Sequence, residues 1–381
     1  MTKRIALLGA TGSVGRQALE VLEKLKGIAD YELVFAACSE RGEELYRRFA
    51  EDENMTVISN ADVRAEGKAE YVASTECLNF VDTYSDVDVV INAIGGSAGV
   101  LPSVRALEAG STLVTANKES LVAFGMNIMR LAKSRKLSVI PLDSEHSALY
   151  QCLIGEDMSS VESLTITASG GAFRDMTADE TASAPAAAAL KHPTWSMGKK
   201  VTVDSATLMN KGLELIEAKN LFGVRDIKVK MHRESVVHGA ASFRDGSLKI
   251  YASRPDMRIP IAYALTAPLR YDLGFAAPVG LGDMSGFTFD EPDRGRFPCL
   301  KLGELVLKMD TDRSGAVLVA ADDVAVEKYL NGELGFYGVS RAVEDALAHF
   351  AAGDEIYTAD DLESITKEVK EYILENIGGY N

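Results

Sequence analysis

Asp143 and Glu145 flank Ser144 in the run PLDSEH (141–146), directly after the apolar stretch KLSVI (136–140). Charges beside a core are costly unless something pairs with them. Two residues apart in an extended chain, both carboxylates face one side. Hard oxygen donors of that kind suit Mg2+ or Mn2+. The same residues also read as a helix cap, with Asp143 or Ser144 ahead of SALYQCL (147–153). Taken alone, the run leaves both readings open. A third acid favours the cation, and MNKGLELIEAK (209–219) supplies Glu214 and Glu217 on one helix face.

Other stretches carry small donors and cations. SGG (169–171), HPTWSMG (192–198) and VDSATLMNK (203–211) contribute Ser169, His192, Ser205, Asn210 and Lys211. Such a set suits a phosphate monoester, although each residue singly is more often structural. Lys118, in ANKES (116–120), reads either as a surface lysine or as a cation meeting a substrate oxygen. The histidines show no HxxxH or HxH spacing, which argues against a histidine metal site.

GATGSVG (9–15) places Gly9, Gly12 and Gly15 after a strand and before a helix. Glycines there let the backbone approach a pyrophosphate at a helix N-terminus. The competing reading is a glycine turn with no ligand. The second strand runs into AACSERGEE (36–44), where Ser39 and Arg41 suit the 2′-phosphate of NADP. Glu40 is a contrary sign, because an acid at that point favours the unphosphorylated ribose of NAD.

Strands are expected at 4–8, 31–37, within 86–96, at 111–120 and at 138–146, with helices at about 16–26, 102–110 and 121–136. Near-continuous apolar strands alternating with helices predict a parallel sheet covered on both faces. Chemistry in such sheets gathers at the carboxyl ends of strands, where GATGSVG, NAIGG, TANKES and LDSEH all fall. After about residue 150 the pattern changes to α+β. Antiparallel strands are expected at 227–235, 236–243 and 247–253, with Asp245-Gly246 turning the last two. A helix is expected at 213–223, and only helices from about 297. The fold class is therefore α/β: an N-terminal Rossmann-type NADP-binding domain (1–150), a central α+β catalytic domain (151–285), a linker (286–298) and a C-terminal helical bundle (299–381).

A length of 381 residues fits two or three domains, and 47% apolar with 25% charged residues is a globular composition. The net charge of −16 argues against a nucleic-acid partner. Cys38, Cys77, Cys152 and Cys299 form no CxxC, as expected of reduced thiols in a cytoplasmic protein. No apolar run approaches the roughly 20 residues that span a bilayer. The start, MTKRIALLGATGS, reads as a first strand rather than a signal peptide.

The stretches LGATGSVG, TANKESLV, PLDSEHSALYQCL, SGGAFRD, HPTWSMGKKVTVDSATLMNKGLELIEA, RPDMRIPIAYAL and FPCLKLGELV occur in this order over nearly the whole chain. With them the chain resembles the 1-deoxy-D-xylulose 5-phosphate reductoisomerase family, NADPH enzymes of the non-mevalonate isoprenoid pathway. The resemblance implies one divalent ion, Mg2+ or Mn2+, on Asp143, Glu145 and Glu214. It implies that Lys118, Ser144 and Glu145 meet the carbonyl and hydroxyl end of a sugar phosphate, with Asp143, Glu145, Glu214 and Lys118 catalytic. Ser169, His192, Ser205, Asn210 and Lys211 would hold the phosphate. Thr11, Gly12, Ser13, Val14, Asn117, Glu119 and Gly198 would contact NADPH, beside Ser39 and Arg41 from the residue reading. A lid at about 184–198 would close over the substrate, with Trp195 and Met197 covering it. The family reaction is drawn as retro-aldol then aldol, followed by reduction to 2-C-methyl-D-erythritol 4-phosphate. A homodimer through the middle domain's sheet is also implied, with no membrane partner.

The chain departs from the family pattern in two places. CSERGEE (38–44) stands where members often carry a Gly-basic-Asn run, and AADD (320–323) where they often carry AANE. The alternative function is another N-terminal-Rossmann reductase, such as a semialdehyde dehydrogenase, which needs an activated cysteine nucleophile. A nucleotide-sensing regulator would need neither three acids nor a phosphate cluster.

Overall fold

The computed structural model describes residues 2–61, 63–74 and 86–380, so Cys77 lies outside the described residues. Compactness divides the chain into two units. The first comprises Met1–Asn117, Ile128–Asp143 and Asp256–Ala277; the second comprises Lys118–Asn127, Ser144–Pro255 and Pro278–Asn381.

The first unit is built on strands β1 (Lys3–Leu8), β2 (Tyr31–Cys38), β3 (Thr56–Ser59), β4 (Glu70–Ala73), β5 (Val89–Asn92), β6 (Thr112–Thr115) and β7 (Val139–Pro141). They form one sheet in the order β4-β3-β2-β1-β5-β6-β7, with every pair parallel. Strand order reverses between β1 and β5, the switch point at which such sheets bind ligands. Helices α1 (Ser13–Leu25), α2 (Gly42–Phe49), α3 (Val100–Glu108) and, later in the chain, α11 (Arg258–Thr266) belong to this unit. Ile5, Leu7, Ala36, Val57, Ile91 and Val114 are buried in one core with Val21 and Leu25 of α1 and Ile261 and Leu265 of α11. Each fully buried aliphatic side chain contributes about 1.5–3 kcal/mol. The sequence reading missed β3 and β4. Each has only four residues, and charged runs before and between them mask the period.

The second unit contains α4 (Lys118–Ala123) and α6 (Ser144–Leu153); α5 (Gly125–Arg135) has residues in both units. Its sheet comprises β8 (Val161–Ala168), β9 (Ile227–Met231), β10 (Val237–Phe243) and β11 (Leu248–Ala252), in the order β11-β10-β8-β9. The β10–β11 hairpin turns at Asp245-Gly246 as expected, with Gly246 at φ +88°. The expected antiparallel run through 227–235 and 236–243 is corrected: β9 pairs parallel with β8, and β10 lies on the other edge of β8. A long helical crossover separates β8 from β9, and such crossovers favour parallel pairing.

That crossover holds α7 (Ala178–Ser183), α8 (Ala186–Ala189), α9 (Lys199–Thr207) and α10 (Met209–Phe222). The helix expected from residue 213 thus begins earlier. Leu208, at φ +60°, breaks α9 from α10, a left-handed conformation costing a bulky residue about 1–2 kcal/mol. The β-branched residues of KKVTVDSAT obscured α9, but Thr202, Val203 and Thr207 are buried there, and packing decides. The expected C-terminal helices are α12 (Pro298–Met309), α13 (Asp312–Leu330), α14 (Phe336–Phe350) and α15 (Ala359–Asn376). Among the described residues no helix is long and apolar enough to cross a membrane.

Candidate active site

Helix α6 starts at Ser144, so Glu145 lies in its first turn and not in extended chain. The strand end and the helix start nonetheless bring the carboxylates together. Ligand oxygens of Asp143, Glu145 and Glu214 lie within 4.8 Å of one another. That spacing fits the coordination shell of a small hard cation, whose oxygen ligands sit at about 2.0–2.6 Å.

Two ammonium groups surround the acids. Lys118, the first residue of α4, donates to Glu214 Oε1 at 2.9 Å and to Asn210 Oδ1 at 2.6 Å. It is buried, not a surface lysine. Lys211 donates to Glu214 Oε2 at 2.6 Å and lies 2.9 Å from Glu145 Oε1. Asn210 Nδ2 donates to Glu214 Oε1 as well. Ser144 Oγ donates to Glu145 Oε2 at 2.6 Å. Glu214 is fully buried, and an uncompensated charge there would be prohibitive. Glu217, one turn on, instead lies 3.4 Å from His146 Nδ1, while His146 Nε2 bonds the Glu214 carbonyl.

The phosphate set divides in two. Asn210 and Lys211 sit with the acids. Ser169 Oγ and His192 Nε2 are 3.0 Å apart. His192 Nδ1 accepts from the backbone amides of Thr194 and Trp195, so Nε2 carries the hydrogen donated to Ser169. Burial, with the positive charges of Arg174 and Lys211, lowers the His192 pKa to about 4. His192 is therefore neutral at pH 7, and the Lys211 charge is near enough to act on it. Ser205 is half-buried on α9. Trp195, within 184–198, is half-buried with its ring centroid 6.2 Å from that of His238.

In the first unit, the glycine loop leads from β1 into α1 with Gly12 at the helix N-cap and no side chain capping it. The α1 amide end, flanked by Thr11, Ser13 and Val14, is thus presented by backbone alone. A Cβ on Gly15 would come 2.2 Å from Gly9 O, so the tight loop-to-helix packing requires glycine. Ser39 and Arg41 follow β2 and are exposed. Asn117 Nδ2 donates to Ile94 O at 3.0 Å and Gly96 O at 2.8 Å, tying two strand-end turns together.

In the second unit, Gly198 is the N-cap of α9, and Glu119 is buried with its pKa raised by burial. Lys200 lies 4.0 Å from Glu119 Oε1, 2.8 Å from Asp204 Oδ2, 2.5 Å from Asp322 Oδ2 and 3.7 Å from Asp323 Oδ1. Burial alone would lower the Lys200 pKa; the four carboxylates outweigh it and raise it well above normal. Sequence reasoning passed over Lys200 and Arg174, whose guanidinium donates to Ser169 O at 3.0 Å. The Lys200–Asp204 spacing of four was a visible signal for the first; Arg174 had none.

Among the described cysteines none is poised to attack a carbonyl. Cys152 is buried, with burial pushing its thiol up to about 11, and the Cys38 and Cys299 thiols are raised in the same way. A reactive cysteine needs the opposite shift. A glycine loop at a parallel-sheet switch point, with three acids and two lysines gathered elsewhere in the chain, describes a nucleotide-dependent enzyme with a hard-cation site.

Three family models match: 1-deoxy-D-xylulose 5-phosphate reductoisomerase over residues 5–125, its C-terminal domain over 139–222, and the DXP reductoisomerase C-terminal domain over 252–372. The 1-deoxy-D-xylulose 5-phosphate reductoisomerase of Listeria monocytogenes serotype 4b is 41% identical over 97% of this chain and 99% of its own length. A crystal structure of DOX-P reductoisomerase with NADPH, fosmidomycin and magnesium is 31% identical, covers 98% of each chain and superposes with a TM-score of 0.89. The Zymomonas mobilis reductoisomerase in complex with NADPH is 29% identical over 99% of each chain, with a TM-score of 0.87. The chain belongs to the 1-deoxy-D-xylulose 5-phosphate reductoisomerase family.

Proposed function

We propose that the chain isomerises and reduces 1-deoxy-D-xylulose 5-phosphate to 2-C-methyl-D-erythritol 4-phosphate, using NADPH and Mg2+ or Mn2+, in isoprenoid-precursor synthesis. The carrying observation is the convergence of Asp143, Glu145 and Glu214 with Lys118 and Lys211. Three carboxylates, two of them paired with ammonium groups, suit a site that must bind a cation and also meet developing negative charge. When bound, the cation supplies Lewis-acid polarisation of the ketone and its neighbouring hydroxyl, and NADPH supplies the hydride.

In this reading Asp143, Glu145 and Glu214 hold the cation. Lys118 donates to the substrate's carbonyl or hydroxyl oxygen, with Ser144 and Glu145 beside it. Asn210, Lys211, Ser169, His192 and Ser205 take the phosphate, and a neutral His192 offers a hydrogen-bond donor rather than a charge. Its Nδ1 also holds the backbone at Thr194 and Trp195, so phosphate contact and lid position are coupled through one ring. Lid closure at 184–198 excludes water. Thr11, Gly12, Ser13, Val14, Ser39, Arg41, Asn117, Glu119 and Gly198 serve NADPH.

The functional division is 1–150 for the nucleotide, 151–285 for catalysis, a linker at 286–298 and a helical domain at 299–381. A homodimer forms through the four-stranded sheet, whose edge strand β11 exposes Leu248 and Ile250. The buried, unactivated thiols fit the cytoplasm. The test is NADPH oxidation, followed at 340 nm, with the pentulose phosphate before and after chelation and with Mg2+ or Mn2+ restored. Metal-restored turnover is expected. Folded, metal-loaded protein that oxidises no NADPH with this substrate would overturn the reading.

A further inference from the structure

The segment after β2 departs from the family pattern, and the structure shows what occupies the region. Ser39, Glu40 and Arg41 connect β2 to α2. The connection is held short, because Gly42 is buried against β3, where a Cβ would lie 1.9 Å from Ser59 Oγ. Arg41 sits at the α2 N-cap with φ +60°, a left-handed conformation uncommon for arginine. From there its Nη2 donates to the carbonyl oxygen of Thr11 in the glycine loop. Arg16, in the first turn of α1, donates Nη1 to the same oxygen at 2.6 Å. Thr11 Oγ1 in turn donates to Glu40 O at 3.2 Å, joining the two loops.

Two guanidinium groups therefore share one acceptor, with donor nitrogens within about 5 Å of each other. Both are exposed, and neither forms an ion pair among the described residues. A single neutral carbonyl does not offset the repulsion of two cations, whereas a phosphate accepts from both. The nearby acids do not neutralise them. Glu43 is paired with Arg47, and neither Glu40 nor Glu44 forms a salt bridge with either guanidinium. The position is the rim of the glycine loop beside the end of β2, where the adenosine ribose lies in sheets of this type.

We propose that Arg16 and Arg41 together read the 2′-phosphate of NADPH, with Arg16 on the glycine-loop helix supplying a second cation beside the one that Arg41 brings from the short segment after β2. This rests on the NADPH reading given above. Arg41 is expected from the sequence; Arg16 lies on α1, outside the run after β2 in which the basic residue is expected. The two-loop clamp also makes cofactor choice depend on a residue outside that run.

The experiment compares direct binding of NADPH and NADH, by titration calorimetry on the purified metal-loaded protein, in wild type, Arg16→Gln, Arg41→Gln and Arg16→Lys. A charge-assisted contact to phosphate is worth about 10–100-fold in affinity. Arg16→Gln is expected to weaken NADPH by that factor and leave NADH within about two-fold, whereas Arg16→Lys retains most of the preference because its charge remains. Equal weakening of both nucleotides would assign Arg16 to loop folding through Thr11 and overturn the proposal. Wild type preferring NADPH while Arg16→Gln keeps the full preference would overturn it and leave the NADPH reading standing. Wild type without a preference would overturn both.

Discussion

Replacing Asp322 with Asn is expected to stabilise the protein near neutral pH and flatten its pH–stability curve. Asp204 Oδ1 and Asp322 Oδ1 are buried, and neither faces a hydrogen-bond donor. Yet the two side chains are within hydrogen-bonding reach of each other. Two buried carboxylates this close share a proton more readily than both stay charged. Burial first, and then the Asp322 charge, raise the Asp204 pKa well above its usual value; burial raises Asp322 too, against the pull of Lys200. Folding therefore takes up a proton at this pair. The associated stability is fully present below the unfolded carboxylate pKa of about 3.9 and is lost as pH rises towards the folded value. Wherever the folded pair keeps a proton that the unfolded chain has lost, the slope is about 1.4 kcal/mol per pH unit. The slope follows from the proton count alone. An Asn amide donates to Asp204 without a titrating proton, and its oxygen still accepts from Lys200. The assay is urea denaturation of wild type and Asp322→Asn at pH 5, 6, 7 and 8. Any slope from Glu119 is common to both and cancels. Curves that stay parallel, with the variant uniformly less stable, would mean that both aspartates are ionised and that Lys200 alone balances them.

Two further outcomes are expected. Glu214→Gln should lower kcat more than about 100-fold, beyond the loss from disturbing an outer metal partner, with NADPH affinity nearly unchanged. Stopped-time turnover and nucleotide titration separate the two, and surviving turnover would remove Glu214 from the metal set. The same variant leaves Lys118 and Lys211 without their shared carboxylate, so a fall in Tm accompanies it. Trp195, the sole tryptophan, should change its emission when a phosphonate substrate mimic saturates the metal-loaded protein. An unchanged spectrum would place the lid elsewhere than 184–198.

The parallel sheet was legible because its strands are buried on both faces, so RIALL, LVFAA and VVIN read as apolar runs whatever their surroundings. β3 and β4 were not, being four residues each. Pairing partners are set by tertiary placement, and nothing local in IKVKM says that its neighbour is β8 rather than β10. The metal site was half legible. Asp143 and Glu145 announced themselves by lying at a strand end, but the residues alone offered Glu214 and Glu217 equally as the third acid, and only the family resemblance chose Glu214. The structure supplies the physical link that the sequence lacks: Lys118 and Lys211 grip Glu214 from two helices and hold its carboxylate beside the other two.

The Lys200 cluster shows where reading by segment fails in principle. Its acids come from α4, α9 and α13, far apart in sequence, and each looks like an ordinary helix residue in its own window. Only their convergence makes them costly: Lys370 reaches Asp323 alone, at 3.6 Å, and Lys200 faces all four buried or half-buried carboxylates. Burial and repulsion between carboxylates raise the pKa values of Asp204 and Asp322, which makes that pair the place in the cluster that holds a proton most readily. Lys200 lies in the first turn of α9, the helix that carries Ser205, while Glu119 is the neighbour of Lys118. Lys200 and its acids thus join α9 and the turn at Lys118 to α13. This ties the stability curve of Asp322→Asn to the same structure that presents the site.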